Sequence, residues 1–150
     1  MKLAEALLQR ADLQTRLAEL SQRLQKNAVH QEGEPPQEDC AALLADYRQT
    51  QKVLTALIVR INLANNRVQL ADGTVLVAAL AQRDSLRQEH RMLQTLADSA
   101  SGTGTRYSRS EIRLLAAVNV SELRAQANEL AKRFRELDVA IQQANWNEDL

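Results

Sequence analysis

Residues 120–145, VSELRAQANELAKRFRELDVAIQQAN, carry the most regular pattern in this sequence. Apolar residues recur alternately three and four positions apart, which is the spacing of a helix that packs along one narrow seam. The seam comprises Val120, Leu123, Ala127, Leu130, Phe134, Leu137, Ile141 and Ala144, none of which is polar. Asn119 can accept hydrogen bonds from the first-turn amides and Glu122 can reach back, so we expect this helix to begin at Val120.

The composition extends the helical interpretation to the whole chain. Ala, Leu, Gln, Glu, Lys and Arg supply 92 of the 150 residues, whereas glycine and proline together supply six. These six cluster at 33–36, 73 and 102–104 and divide the chain into four segments. We expect helices over about residues 3–28, 39–67, 74–99 and 120–145. The fold class is therefore mainly α, a long antiparallel helical bundle or coiled coil of four helices in a single domain over residues 1–150.

The first three helices show the same spacing with more polar members. In the first helix the seam runs through Leu3, Ala6, Arg10, Leu13, Leu17, Leu20, Leu24 and Asn27. In the second we count Cys40, Leu44, Tyr47, Gln51, Leu54, Ile58, Ile61, Asn65 and Val68. In the third, Arg83 and His90 share the seam with leucines and alanines. We interpret Arg83 and His90 as a polar layer that fixes helix register at some cost in stability.

The connections differ in character. Residues 31–39, QEGEPPQED, predict a solvated loop. Residues 67–72 alternate apolar and polar side chains before an Asp72-Gly73 turn signal, and residues 109–118 show a similar alternation. These two segments could pair as a small β element, although Ser108 with Glu111 could equally open a short helix.

No residue pattern indicates catalysis, a metal or a cofactor. His30 and His90 lack a second ligand at helical spacing, and Cys40 is the only cysteine. No Gly-x-Ser-x-Gly turn marks a nucleophile, and GTGTR at 102–106 lacks the ending of a phosphate-binding loop. We therefore expect a non-enzymatic protein without catalytic, metal or cofactor-binding residues.

A basic segment is the one candidate ligand site. Arg106, Tyr107, Arg109 and Arg113 place three guanidiniums and an aromatic ring within eight residues. Arginine matches phosphate oxygens bidentately, and an aromatic ring can stack on a base, so the segment could bind an anion or a nucleic acid. The alternative that we favour is pairing of these arginines with acids on neighbouring helices or another subunit. The formal net charge of zero supports that alternative.

Four stretches together resemble a family of uncharacterised bacterial proteins, some of which are named septicolysin. They are residues 1–38, LADGTVLVAALAQRDSLR at 70–87, RYSRSEIR at 106–113 and ELDVAIQQANWNEDL at 136–150. The resemblance spans essentially the whole chain. It implies a mostly helical cytoplasmic protein, and the name septicolysin implies a membrane-damaging activity.

Self-assembly is the function that the sequence favours. Leu7, Leu43, Leu57 and Leu96 lie outside the seams as we count them, and a homo-oligomer would cover the apolar surface that they provide. The alternatives are the anion- or nucleic-acid-binding module and a septicolysin-like membrane-active protein. The longest apolar run, Val75 to Ala81, has seven residues, so we expect no transmembrane segment. No secretion signal is evident and the lone cysteine suits a reducing compartment, which predicts a cytoplasmic location.

Overall fold

The fold is all-α, with four helices. The computed structural model describes residues 1–102 and 114–150. Within these ranges the helices are α1 (Leu3–Asn27), α2 (Cys40–Arg67), α3 (Leu76–Ser101) and α4 (Val120–Asn147). Every helix end lies within two residues of the position expected from the sequence. The predicted mainly α class is therefore confirmed.

Side chains placed just before the helices satisfy first-turn amides. Asp39 accepts from the amide of Ala41 at 2.8 Å at the start of α2. Asn119 accepts from the amide of Glu122 at 3.1 Å at the start of α4, as the sequence predicts. At the start of α1 the carboxylate of Glu5 accepts from the amide of Lys2 at 2.7 Å.

The chain divides into two compact units. The first contains Met1–Val68 together with Ala144–Leu150, and the second contains Gln69–Gln143. In the second unit, Asp98 approaches Arg124 at 3.6 Å and Arg83 approaches Asp138 at 3.1 Å. The late part of α3 therefore lies beside the early part of α4, and the two helices are antiparallel. The single domain over residues 1–150 stays a prediction.

The seams of α1, α3 and α4 are confirmed. Each seam residue that we assigned to α1 and α4 is buried or half-buried. In α3 the leucines and alanines of the seam are buried or half-buried, and Arg83 and His90 are half-buried beside them. The spacing of apolar residues is thus sufficient to identify the inward face of these three helices.

The seam assigned to α2 is wrong at alternate positions. The structure buries Leu43, Thr50, Leu57 and Ala64, one residue before each of the predicted Leu44, Gln51, Ile58 and Asn65. Both patterns share Cys40, Tyr47, Leu54, Ile61 and Val68, because three-then-four and four-then-three spacings meet every seven residues. The observed phase buries one threonine hydroxyl instead of the amide side chain of Gln51, which costs less desolvation.

The small β element is corrected as well. Gln69 pairs with Val75 in an isolated antiparallel bridge across the Asp72-Gly73 turn. Gly73 has a φ of +84°, a conformation that glycine adopts without strain. Residues 114–118 form no strand, and 109–113 lie outside the described residues. The turn is therefore as predicted, whereas the described residues show no pairing of 67–72 with 109–118, because the short strand pairs locally across its own turn.

Candidate functional surface

The basic segment cannot be placed in the fold. Arg106, Tyr107, Arg109 and Arg113 all lie outside the described residues. Their binding of an anion or a nucleic acid stays a prediction.

Arg83 is neutralised by an acid of α4. Its Nη1 lies 3.1 Å from Asp138 Oδ1, and its Nη2 lies 3.6 Å from Asp84 Oδ1. The Nε atom of Arg83 is buried without an acceptor. No hydrogen bond joins Arg83 to His90 among those of the described residues, although both face the seam. The ion pair with Asp138, rather than a layer shared with His90, links α3 to α4.

Chemistry-bearing groups are dispersed in the part of the chain that the structure describes. No three histidine, cysteine, aspartate or glutamate residues there are grouped to hold a metal ion. Cys40 is half-buried, and its Sγ lies 3.1 Å from the carbonyl oxygen of Asn27, to which it donates. An open groove of about 360 Å³ beside the α2–α3 turn is lined by Asp72, Gln82, Arg133 and Glu136 among others. All four side chains are exposed, so the groove offers no built ligand site.

The connection between α1 and α2 is anchored by Asn27 and Glu38. Asn27 is 8% exposed, accepts from the amide of Glu38 at 3.0 Å and donates to the carbonyl of Arg23 at 2.9 Å. The guanidinium of Arg23 forms an ion pair with Glu38. Hydrogen bonding from Arg23 lowers the pKa of the Glu38 carboxyl. These contacts hold the end of the otherwise exposed loop, which indicates a structural role.

The two ends of the chain meet in what we call the terminal clasp, formed by residues 1–3 and 147–150. Lys2 pairs with Asp149 in an antiparallel bridge, and the amide of Leu150 donates to the carbonyl of Met1 at 2.9 Å. The ammonium of Lys2 lies 3.0 Å from Asp149 Oδ2 and the terminal ammonium of Met1 lies 3.7 Å from Oδ1. Hydrogen bonding and charge from Lys2 lower the pKa of the Asp149 carboxyl.

The terminal clasp also receives α2. Arg67 donates to the carbonyl of Asp149 at 3.0 Å, and Arg60 donates to that of Leu150 at 3.4 Å. The end of α2 therefore lies beside the start of α1, so these helices are antiparallel within the first unit. Sequence inspection missed the clasp because its members are separated by almost the full length of the chain.

Of the four leucines assigned to self-assembly, two are buried within the chain. Leu43 and Leu57 are each 5% exposed, because they lie on the observed seam of α2. Leu7 is half-buried and Leu96 is 39% exposed. Leu43 and Leu57 therefore cannot contact a second molecule, and that part of the prediction is wrong.

The apolar surface lies instead on the opposite side of α2. Ala56, Val59 and Leu63 follow each other at helical spacings of three and four residues, and we call them the α2 outer face. Val59 is 52% exposed and Leu63 is 66% exposed. At the corresponding spacing α4 has the exposed pair Val139 and Gln143. Both helices have 28 residues, but α2 has five charged residues against eight in α4.

A family model covers nearly the whole chain. It matches residues 10–150 and describes a family of unknown function, DUF6847. The chain belongs to this family. No curated protein matches the chain.

A solved structure resembles this member of the family throughout its length. It is the crystal structure of a functionally unknown conserved protein from Corynebacterium diphtheriae, with 39% sequence identity and a TM-score of 0.94. The match covers 100% of this chain and 98% of the corynebacterial one. Neither description uses the name septicolysin, so the resemblance is confirmed for an uncharacterised bacterial protein and not for that name.

Across residues 1–102 and 114–150, no helix combines the length and the apolar content that crossing a bilayer requires.

Proposed function

We propose that this protein is a non-enzymatic helical protein that assembles into a homo-oligomer through the α2 outer face. The exposure of Val59 and Leu63 carries this proposal. Two large apolar side chains, one helical turn apart, lie in water where a protein surface ordinarily places polar groups. The flanking Val53 and Leu44, which are 40% and 38% exposed, extend the apolar surface of the same helix.

A second copy of the chain fits this surface by size and by charge. An antiparallel pairing of two α2 helices about Val59 would place the large Leu63 of one copy near the small Ala56 of the other. The same pairing would place the Lys52 ammonium beside the last turn of the other α2, where helix carbonyls favour a cation. Because the pairing is two-fold symmetric, each of these contacts occurs twice.

The area available implies a weak assembly. Each of Val59 and Leu63 already has part of its side chain covered, so full burial contributes about 1 kcal/mol per side chain. Four such side chains in a symmetric pair give about 4 kcal/mol, which corresponds to dissociation near 1 mM if nothing else contributes. Flanking contacts from Val53 and Leu44 strengthen the pair. We expect an oligomer whose population depends on protein concentration.

Sedimentation equilibrium from about 10 to about 500 µM tests the proposal. The expected mass rises above the 16.8 kDa of the monomer as concentration increases. Leu63→Glu should abolish the rise while leaving the helical circular dichroism unchanged, because the side chain lies on the surface. The matched control is Gln143→Glu, which adds the same charge at the position in α4 that follows an exposed valine by four residues. A mass of 16.8 kDa at every concentration, or an equal effect of both variants, would refute the proposal.

We place the assembly in a reducing compartment, the cytoplasm. A single cysteine cannot form an intrachain disulfide, and Cys40 is free.

A further inference from the structure

The two halves of the chain share sequence at fixed offsets. Residues 3–20 and 76–93 are identical at seven of 18 positions when aligned 73 residues apart. The shared core of this match is Leu-x-x-Ala-Leu-x-Gln-Arg-x-x-Leu, which begins at Leu3 and again at Leu76. Residues 40–70 and 120–150 are identical at nine of 31 positions when aligned 80 residues apart. The seven additional residues of the second half lie in the connection between α3 and α4.

Burial follows the same correspondence. Leu3 and Leu76, the first residues of α1 and α3, are both fully buried. Ala6 and Ala79 are likewise at 0% exposure. The guanidinium Nε is buried without an acceptor in both Arg10 and Arg83, which occupy equivalent positions. The observed seam of α2 corresponds position by position to that of α4, so equivalent helices present equivalent faces to the interior.

The junctions that follow α2 and α4 have the same backbone pairing. The amide of Leu70 donates to the carbonyl of Thr74 at 2.9 Å, and that of Leu150 donates to the carbonyl of Met1 at 2.9 Å. Both pairs correspond under the two offsets. The antiparallel bridge between Gln69 and Val75 corresponds in the same way to that between Asp149 and Lys2.

The residues that flank the two junctions agree as well. Val68 and Glu148 donate their amides to Ala64 and Ala144, at 2.8 Å and 3.0 Å. Lys2 and Val75, which precede α1 and α3, are both extended, with φ near −67° and −66°.

One covalent difference separates the junctions. Ala71-Asp72-Gly73 joins Leu70 to Thr74, whereas no residues join Leu150 to Met1. In the terminal clasp, the ion pairs of Asp149 with Lys2 and with the Met1 ammonium close the gap instead. We infer that residues 1–70 and 74–150 are two copies of one helix–turn–helix repeat, and that the terminal clasp is an open copy of the α2–α3 turn.

The covalent link can therefore move from one junction to the other without changing the fold. The test is a circular permutant that starts at Thr74, continues to Leu150, passes through Ala-Asp-Gly to Met1 and ends at Leu70. We expect unchanged helical circular dichroism and a thermal midpoint within about 5 °C of the parent, which corresponds to a small difference in stability. Loss of the cooperative transition would overturn the inference.

Hydrogen exchange of two amides reports on the equivalence directly. In the parent, the Leu70 amide lies in the closed junction and the Leu150 amide in the open one. We expect their relative protection to exchange in the permutant, because the closed junction opens less often. Unchanged relative protection of the two amides would count against the inference.

Two further proteins keep the test decisive. A control permutant with the same linker but opened between Leu54 and Thr55, within α2, should be strongly destabilised, and equal stability of the two permutants would show that the junction is not special. The backbone-cyclised chain, with Leu150 joined to Met1 by Ala-Asp-Gly and no opening, should melt higher than the parent by about 5 °C or more, because the ring restricts the unfolded chain. An unchanged or lower midpoint would mean that the linker does not fit the clasp and would overturn the inference.

Discussion

Arg83 illustrates how a charge is accommodated on an apolar seam. Its side chain is 20% exposed, whereas that of its partner Asp138 is 35% exposed. The aliphatic stem of Arg83 packs on the seam while the guanidinium reaches the acid. Arg10, the equivalent residue of the first half, has Ile58 at the position corresponding to Asp138. The same arginine therefore has an acidic partner in one half only.

Breaking the Arg83 ion pair from its two sides should have unequal effects. Asp138→Asn leaves a partly buried guanidinium without its charge partner and should lower the free energy of unfolding by about 1–2 kcal/mol. Arg83→Met removes that cation together with the unpaired Nε and should cost less, below about 1 kcal/mol.

Urea denaturation of both variants measures this difference. Asp84→Asn, at an exposed acid 3.6 Å from the guanidinium, is the control and should change little. If Arg83→Met proved the more destabilising variant, the ion pair would not be the group that matters.

The helix α2 shows why periodicity leaves one choice open. Two seams that share every seventh residue are consistent with its sequence, and they differ in which of two adjacent residues is buried. Leu43 and Leu44 are such a pair, with 5% and 38% exposure. Comparison with the unambiguous seam of α4, 80 residues later, selects the observed phase. The internal repeat was therefore the signal that could have corrected the prediction.

Alanine substitution of the two leucines distinguishes the phases. Leu43→Ala should destabilise the protein by about 2–4 kcal/mol, because it removes buried methyl groups and leaves a cavity. Leu44→Ala, with identical chemistry at the next residue, should cost less than about 1 kcal/mol. Thermal unfolding of the two variants provides the comparison. Equal losses would contradict the observed seam.

The terminal clasp brings together the two ends of the chain. Its backbone pairing matches that of an internal turn, but its closure depends on the charge of Asp149. Lys2 lowers the pKa of this carboxyl. A carboxyl whose pKa is lowered by folding stabilises the protein above its ordinary pKa, and this stabilisation is lost as pH falls through the lowered value.

The stability of the clasp should therefore depend on acid. At neutral pH, Asp149→Asn should melt below the parent, because the ion pairs with Lys2 and the Met1 ammonium are gone. The difference should shrink as pH falls below the ordinary carboxyl pKa and vanish once Asp149 is protonated in the folded parent. Thermal midpoints of both proteins across this acidic range measure the effect. Glu148→Gln, next to Asp149 and without an ion pair to a described residue, is the control; a difference independent of pH would exclude this role of Asp149.

Most of the architecture follows from local pattern. The number of helices, their ends, the Asn119 cap and three of the four seams are legible in the amino-acid order, because helix formation and capping depend on residues a few positions apart. The phase of α2, the pairing of Leu150 with Met1 and the exposure of Val59 and Leu63 required the folded chain. Each depends on which surfaces come together over long sequence separations, and a helical period repeats equally well in either phase until packing selects one.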